Sequence, residues 1–235
     1  MRLPLESLNF PIKPRIRFTP RVLEQTFSRI VLPRTISLLH GSERAPLSII
    51  AHSLAVSAAK SNDSAKCVFL DSGSNYSPSL VRAIASTSDI LERILVGYVM
   101  GLADIVDMIG SFSELSEISI IILDNLTGAL NLTGAPGTKG RQRELFQTLE
   151  TIRKSVNQFD THALITDYSA KNWVSGDHSP IGGNVLSHAV DSVVRADRLK
   201  TGENLIRILI ERSTHSKNPP GIIVRADSKG IRSMK

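Results

Sequence analysis

From Thr35 onward, short aliphatic runs alternate with stretches of helical period, separated by Gly, Ser, Asn and Asp turns. This alternation constrains the chain more than any single residue does. A run of four to six apolar residues that is followed by an amphipathic helix and then repeated is the pattern of a parallel sheet covered on both faces. The spacing predicts strands at Ile36–Leu39, Cys67–Asp71, Ile94–Gly97, Ile118–Leu123 and Ala163–Thr166. It predicts helices at Ser48–Ala59, Ser79–Ala85, Leu102–Gly110 and Arg141–Phe159. A helix-like turn is expected after Gly183. Asp191–Arg198 and Leu205–Glu211 read as further strands, and Ile222–Ala226 is expected to close the sheet.

Ahead of this core, Pro4, Pro11 and Pro14 keep the first residues extended. Arg15–Phe18 alternates polar and apolar, as a half-buried edge strand does. Thr19-Pro20 reads as an N-cap with proline at the first helical position, and Val22, Leu23, Phe27, Ile30 and Val31 follow at helical spacing until Pro33. The expected organisation is therefore an N-terminal segment, 1–34, and a core domain, 35–235. With 235 residues the chain suffices for one well-packed domain and is short for two.

No apolar run reaches the roughly 18 residues of a membrane span, and the first residues lack a long apolar leader, so a cytoplasmic protein with no membrane partner is expected. The lone Cys67 rules out an intrachain disulfide and fits a reducing compartment. The net charge of +6 is unevenly spread. Residues 1–35 hold seven Lys/Arg and two Glu, residues 217–235 hold five Lys/Arg and one Asp, and the middle is mildly acidic. Basic ends suit contact with a polyanion or an acidic partner, and equally serve as solvated tails.

One window carries chemistry. Gly41-Ser42-Glu43-Arg44-Ala45-Pro46-Leu47-Ser48 follows the first core strand and precedes a helix, where a phosphate-binding Gly-x-x-x-x-Gly-Lys-Ser/Thr loop would sit. Gly41 and Ser48 are in register with it, but Pro46 replaces the second glycine and Leu47 the lysine. The flanks, His40-Gly41 and Ala51-His52-Ser53-Leu54-Ala55-Val56, resemble the archaeal RadA recombinases and their eukaryotic counterparts. Phe69-Leu70-Asp71-Ser72 with Tyr76-Ser77-Pro78 is similar to the segment bearing that family's catalytic Glu. Ile120–Thr127 resembles its Walker B strand, and Pro180–His188 resembles the segment after its second DNA loop. The resemblance runs from about residue 35 to 233. It implies a RecA-like P-loop ATPase core, an α/β fold with a mostly parallel twisted sheet flanked by helices.

What departs from the family pattern concerns the nucleotide. Leu47 cannot neutralise phosphate charge, and Pro46 has no N–H to offer. The family's catalytic Glu aligns with Gly73, and its Asn-Gln after the next strand aligns with Asp167-Tyr168. Only Ser48 and Asp124, the Mg²⁺-side pair, remain, and each also reads as an ordinary helix-start hydroxyl or strand-end carboxylate. A charge-assisted hydrogen bond contributes about 1.5–3 kcal/mol, and a general base about 10²–10⁴ in rate. The expectation is a pseudo-ATPase with no resident cofactor and at most weak Mg-ATP binding; a lysine supplied from elsewhere would instead leave a slow, atypical ATPase.

The resemblance also implies surfaces. The first DNA loop corresponds to Asn131–Gly140, with Lys139, Arg141 and Arg143 at its exit. The second corresponds to Ser169–Ser179, with Lys171, Trp173 and His178. A lone indole beside a lysine suits stacking on unpaired bases; it suits anchoring a loop as well. Arg212, Lys217, Pro219 and Pro220 lie in a stretch similar to the family's cap over a neighbour's ATP. Phe10 and Phe18 are candidates for insertion into a neighbouring core. The implied function is a RecA-fold paralogue that binds single-stranded DNA and a RadA-type recombinase or sister paralogue, in a homo- or hetero-oligomer, to assist homologous recombination and repair. The alternative is a regulatory subunit of a KaiC-like assembly that acts only through protein contacts.

Overall fold

The computed structural model describes residues 16–112, 115, 117–135, 137–171, 178–199, 204–215 and 221–234. Among these residues ten strands form one sheet: β1 (Thr35–Gly41), β2 (Lys66–Asp71), β3 (Ile94–Tyr98), β4 (Ile118–Asp124), β5 (His162–Lys171), β6 (His178–Pro180), β7 (Ser192–Arg198), β8 (Leu205–Ser213), β9 (Ile222–Asp227) and β10 (Gly230–Ser233). Their spatial order is β10-β9-β8-β7-β1-β5-β4-β2-β3, with β6 paired to the end of β5. The segment from β7 to β3 is parallel, and β8, β9 and β10 continue it antiparallel. The mostly parallel α/β architecture read from the sequence is the one observed.

Among the described residues seven α-helices accompany the strands: α1 (Glu24–Phe27), which precedes β1, α2 (Arg44–Ala59), α3 (Pro78–Ala85), α4 (Leu102–Ser111), α5 (Leu126–Leu132), α6 (Lys139–Gln158) and α7 (Gly183–Ala189). Strand alternation sorts the core into two layers. Leu39, Phe69, Ile120, Ile122, Leu164 and Val194 face α2 and α3. Ile36, Leu38, Val68, Leu70, Ile121, Leu123 and Ile165 face α4 to α7. Helix α2 is buried nearly all round, so it carries no clean polar face. Helix α6 is a surface helix whose Leu145, Leu149, Ile152 and Val156 bury at three- and four-residue spacing.

Several expectations are corrected. Residues 16–18 lie in no strand; Phe18 is buried 6.2 Å from Phe27, inside its own core, and is not offered to a neighbour. Thr19 does not cap a helix. Its N–H donates to Ser57 Oγ, and a single 3-10 turn begins at Arg21, followed by the short α1. The apolar spacing from Val22 to Val31 is satisfied instead by a turn-rich path that buries Leu23, Phe27, Ile30 and Val31 in the α2 layer. Strand β9 does not close the sheet, because β10 pairs outside it through a turn at Gly230, whose φ of 107° suits glycine. The first loop is also shorter than expected, since α5 runs to Leu132 and α6 starts at Lys139.

This order places the carboxyl ends of β1, β2, β4 and β5 on one edge. The connection from β1 to β2 leaps over β5 and β4, which is the kind of crevice where open α/β sheets bind ligands.

Candidate nucleotide site and loop roots

Gly41 ends β1, and α2 begins three residues later, at Arg44. The sequence expectation placed that helix start at Ser48. Residues 44–48 are therefore coiled into helix where a phosphate loop would be open backbone. Pro46 occupies the first turn, where its missing N–H would have had no helical partner. Leu47 is 1% exposed and packs in the α2 layer, so its burial favours the early helix. Gly41 is required for packing: a Cβ there would lie 2.2 Å from the Ala196 carbonyl oxygen of β7.

Ser48 is half-buried on α2, its hydroxyl 3.4 Å from His52 Nδ1. His52 is fully buried. Its Nε2 accepts from the Ser77 N–H at 2.9 Å, so its proton sits on Nδ1 and is donated to the Ser48 carbonyl at 2.7 Å. Burial pushes its pKa down, against the Ser48 carbonyl and Asp71, which both favour the charged ring.

Asp124 ends β4. Thr166 donates to its Oδ1 at 2.7 Å, while Oδ2 is buried and has no hydrogen-bond partner among the described residues. Burial pushes its pKa up to about 6; Thr166, Arg44 and Asn75 pull it down, and Asp71 adds to the rise. Asp71 shapes the neighbouring turn by accepting from the N–H groups of Gly73, Asn75 and Tyr76. A Cβ on Gly73 would lie 2.9 Å from Asn75 Nδ2 and 3.3 Å from Asn125 Nδ2, so amide groups fill the space a side chain would take.

Arg44, His40 and Glu211, which the sequence reading did not offer as site residues, complete the picture beside Tyr168. Arg44 reaches from the first turn of α2 to the Ser74 carbonyl at 2.7 Å, and its charge acts on Asp124 and on Tyr168. Tyr168 is half-buried on β5, and burial raises its pKa, with Arg44 and Asn125 acting in the opposite direction. His40 is buried with Nε2 2.8 Å from Glu211 Oε2. Burial pushes Glu211 up, but the hydrogen bond and charge of His40, with Arg195, bring it below the usual range. An arginine at a helix start and a histidine at a strand end are common, so position alone gave no signal.

The remaining expected sites divide. Lys139 and Arg143 are exposed and Arg141 half-buried on the first turns of α6, which Thr138 caps by accepting from the Arg141 N–H. Lys171 and His178 face each other across β5 and β6, but their side chains lie outside the described residues. Trp173, Lys217, Pro219, Pro220 and Phe10 lie wholly outside them. Arg212 is engaged within its own chain, where it donates to the Ser187 and Val190 carbonyls and caps the C-terminus of α7. No helix among the described residues is long and apolar enough to cross a membrane.

Comparison with known proteins agrees with this architecture. The RadB recombinase, known from its crystal structure, superposes with a TM-score of 0.72 at 14% identity, over 87% of this chain and 93% of that one. The DNA repair and recombination protein RadA of Methanocorpusculum labreanum is 24% identical over 220 residues, 80% of this chain and 67% of that protein. The Rad51 family model matches residues 15–218. That span holds the whole parallel sheet, both loop roots and the strand ends described above, and on it the chain belongs to the Rad51 family.

Proposed function

We propose that this chain is a recombination and repair protein that binds single-stranded DNA without hydrolysing ATP, and that it works alongside a catalytic recombinase. The observation that carries the first half is the path of residues 41–48. A helix starting at Arg44 leaves only Ser42 and Glu43 between strand and helix, and Leu47 is buried where a lysine would have to reach phosphate. Two residues are too few to wrap a phosphate with backbone N–H groups. Gly73 and Tyr168 supply neither a general base nor a γ-phosphate sensor.

The DNA half draws support from α6. Lys139, Arg141 and Arg143 crowd its N-terminus, which has no acidic residue in its first turn. Cations at the positive end of a helix dipole are unfavourable unless an anion meets them. A phosphate backbone along the edge of the first loop supplies that anion. The names of the relatives, a RadA repair and recombination protein and a RadB recombinase, fit the same process.

The test is fluorescence anisotropy of labelled single- and double-stranded oligonucleotides across a salt series, with and without Mg-ATP, beside a phosphate-release assay. Salt-sensitive single-strand binding that ignores Mg-ATP, with no turnover, is expected. Turnover above background that Asp124→Ala abolishes would overturn the non-hydrolysing reading. Absence of binding near physiological salt would overturn DNA contact.

A further inference from the structure

Asp167 and Tyr168, in β5 just before the stretch that pairs with β6, make four hydrogen bonds that join segments far apart in sequence. The Thr127 hydroxyl, at the start of α5, donates to Asp167 Oδ1 and accepts from the Tyr168 N–H at 3.2 Å. The Gly182 N–H donates to Asp167 Oδ2 at 2.9 Å, and the Ile181 N–H donates to the Tyr168 carbonyl at 2.9 Å. Thr127 and Asp167 are both buried, so water does not compete for these bonds.

The placement matters because of what each partner precedes or follows. Helix α5 leads into the loop at 133–138. Ile181 and Gly182 lie just after β6, which returns from the far side of the second loop and pairs with the end of β5. Both carboxylate oxygens are used as acceptors, one for each loop root. An asparagine, the residue that the family pattern carries here, has one acceptor oxygen and one N–H₂ donor. With its oxygen toward the Gly182 N–H, its amide would donate to the Thr127 hydroxyl, which has a lone pair to accept it, so the bond to Thr127 would reverse its direction. Aspartate accepts from both partners, leaving the Thr127 hydroxyl as the donor.

We propose that Asp167 is a positioning residue that locks the roots of the two loops to each other permanently, so that this chain presents them in fixed relation without a bound nucleotide. The lock needs no γ-phosphate and no sensor glutamine. It deepens the DNA-binding reading and rests on it for its consequence, but it is measured independently of DNA.

The experiment is amide hydrogen exchange, followed residue by residue on the full chain, for the unaltered protein, Asp167→Ala and Thr127→Val. In Asp167→Ala, which removes both acceptor oxygens, the Gly182 amide should exchange at least about tenfold faster while the β4 amides keep their protection. In Thr127→Val, both the Tyr168 and the Gly182 amides should speed up, because removing one anchor frees the carboxylate that holds the other. Mg-ATP should change neither rate in the unaltered protein. Unchanged exchange at Gly182 in Asp167→Ala overturns the assignment. If Asp167→Ala loses β4 protection and is simply unfolded, Thr127→Val decides: a response confined to Tyr168 overturns the linkage between the loops. Protection that appears only with Mg-ATP overturns nucleotide independence. Oligonucleotide affinity on the same samples should fall in both variants. An unaltered protein that binds no DNA overturns the functional reading above, and the exchange rates then still decide the lock.

Discussion

Arg44 donates a 2.7 Å hydrogen bond to the carbonyl of Ser74, joining the first turn of α2 to the turn after β2. Three residues further along the same helix, Leu47 points into the core at 1% exposure. The cation at this site is therefore an arginine on the outer side of the helix, and the position that aligns with the family lysine is a packing position. Restoring the lysine should not restore a nucleotide site. Leu47→Lys buries an ammonium among aliphatic side chains and should destabilise the domain by about 3 kcal/mol or more. Thermal unfolding and phosphate release check this; an unchanged melting temperature with new turnover would contradict it.

Asp124 lies at the end of β4 with one carboxylate oxygen unbonded among the described residues, and its pKa is about 6. A carboxyl whose folded pKa is raised contributes stability at low pH that is lost as pH rises through the folded value. The window here runs from about pH 4 to about pH 6. A rise from 3.8 to about 6 corresponds to about 3 kcal/mol at most. Asp124→Asn should therefore be more stable than the unaltered protein at pH 7.5 and show little gain at pH 4. Urea unfolding at the two pH values measures the difference; equal effects at both would remove the ionised carboxylate as the cause.

His162 begins β5, fully enclosed, with Nδ1 2.8 Å from the Thr35 hydroxyl. Burial pushes its pKa down to about 3, against the Leu32 carbonyl and Asp191, which favour the charged ring. A histidine with a depressed folded pKa gives stability that is fully present above about pH 6.5 and lost as pH falls toward 3. Its contribution to the slope should be about 1.4 kcal/mol per pH unit in that window. His162→Asn should flatten the acid limb of the stability curve. A limb of unchanged slope would assign the acid sensitivity to other groups.

Arg141 and Arg143 stand on the first turns of α6 beside the loop at 133–138. If each meets one phosphate, replacing either by Ala should reduce the slope of log K against log salt by about 0.7 for single strands. The loss of affinity should be nearly the same for all sequences. A slope that does not move would place the DNA elsewhere.

Gly73 shows how a family position can be closed by its neighbours. Gly73→Glu restores the carboxylate that the family pattern carries, but its Cβ would meet Asn75 Nδ2 at 2.9 Å. Overpacking of this kind costs about 1–3 kcal/mol. The variant should melt earlier and still release no phosphate above background; turnover with an unchanged melting temperature would show that the amides can yield.

The parallel sheet was legible in the sequence because each strand writes its own burial. Ile120–Leu123 and Ala163–Ile165 are apolar at every position, as strands covered on both faces must be, and α6 carries its buried stripe at helical spacing. The order of motifs around Gly41, Asp71 and Asp124 was enough to find the family. The start of α2 was not legible, because Pro46 is tolerated in the first turn of a helix and does not by itself fix where that turn begins. In the folded chain Leu47 is buried in the layer between α2 and the sheet, most of whose strands come later in the chain. Thr19-Pro20 failed for the same reason: its local capping pattern gave way to a hydrogen bond with Ser57, 38 residues on.

What the sequence by itself determined is the set of faces: which residues go inside, and in what period. The tertiary structure decided the partners. Asp167 reads in sequence only as a changed asparagine; folded, its two oxygens are claimed by Thr127, 40 residues before it, and Gly182, 15 residues after it. Arg212 reads as a cation for a neighbour and is spent on the end of α7. Burial follows from a residue's own chemistry and its period, whereas a hydrogen bond or an ion pair needs a second group at about 3 Å. Only the packed chain brings such groups together.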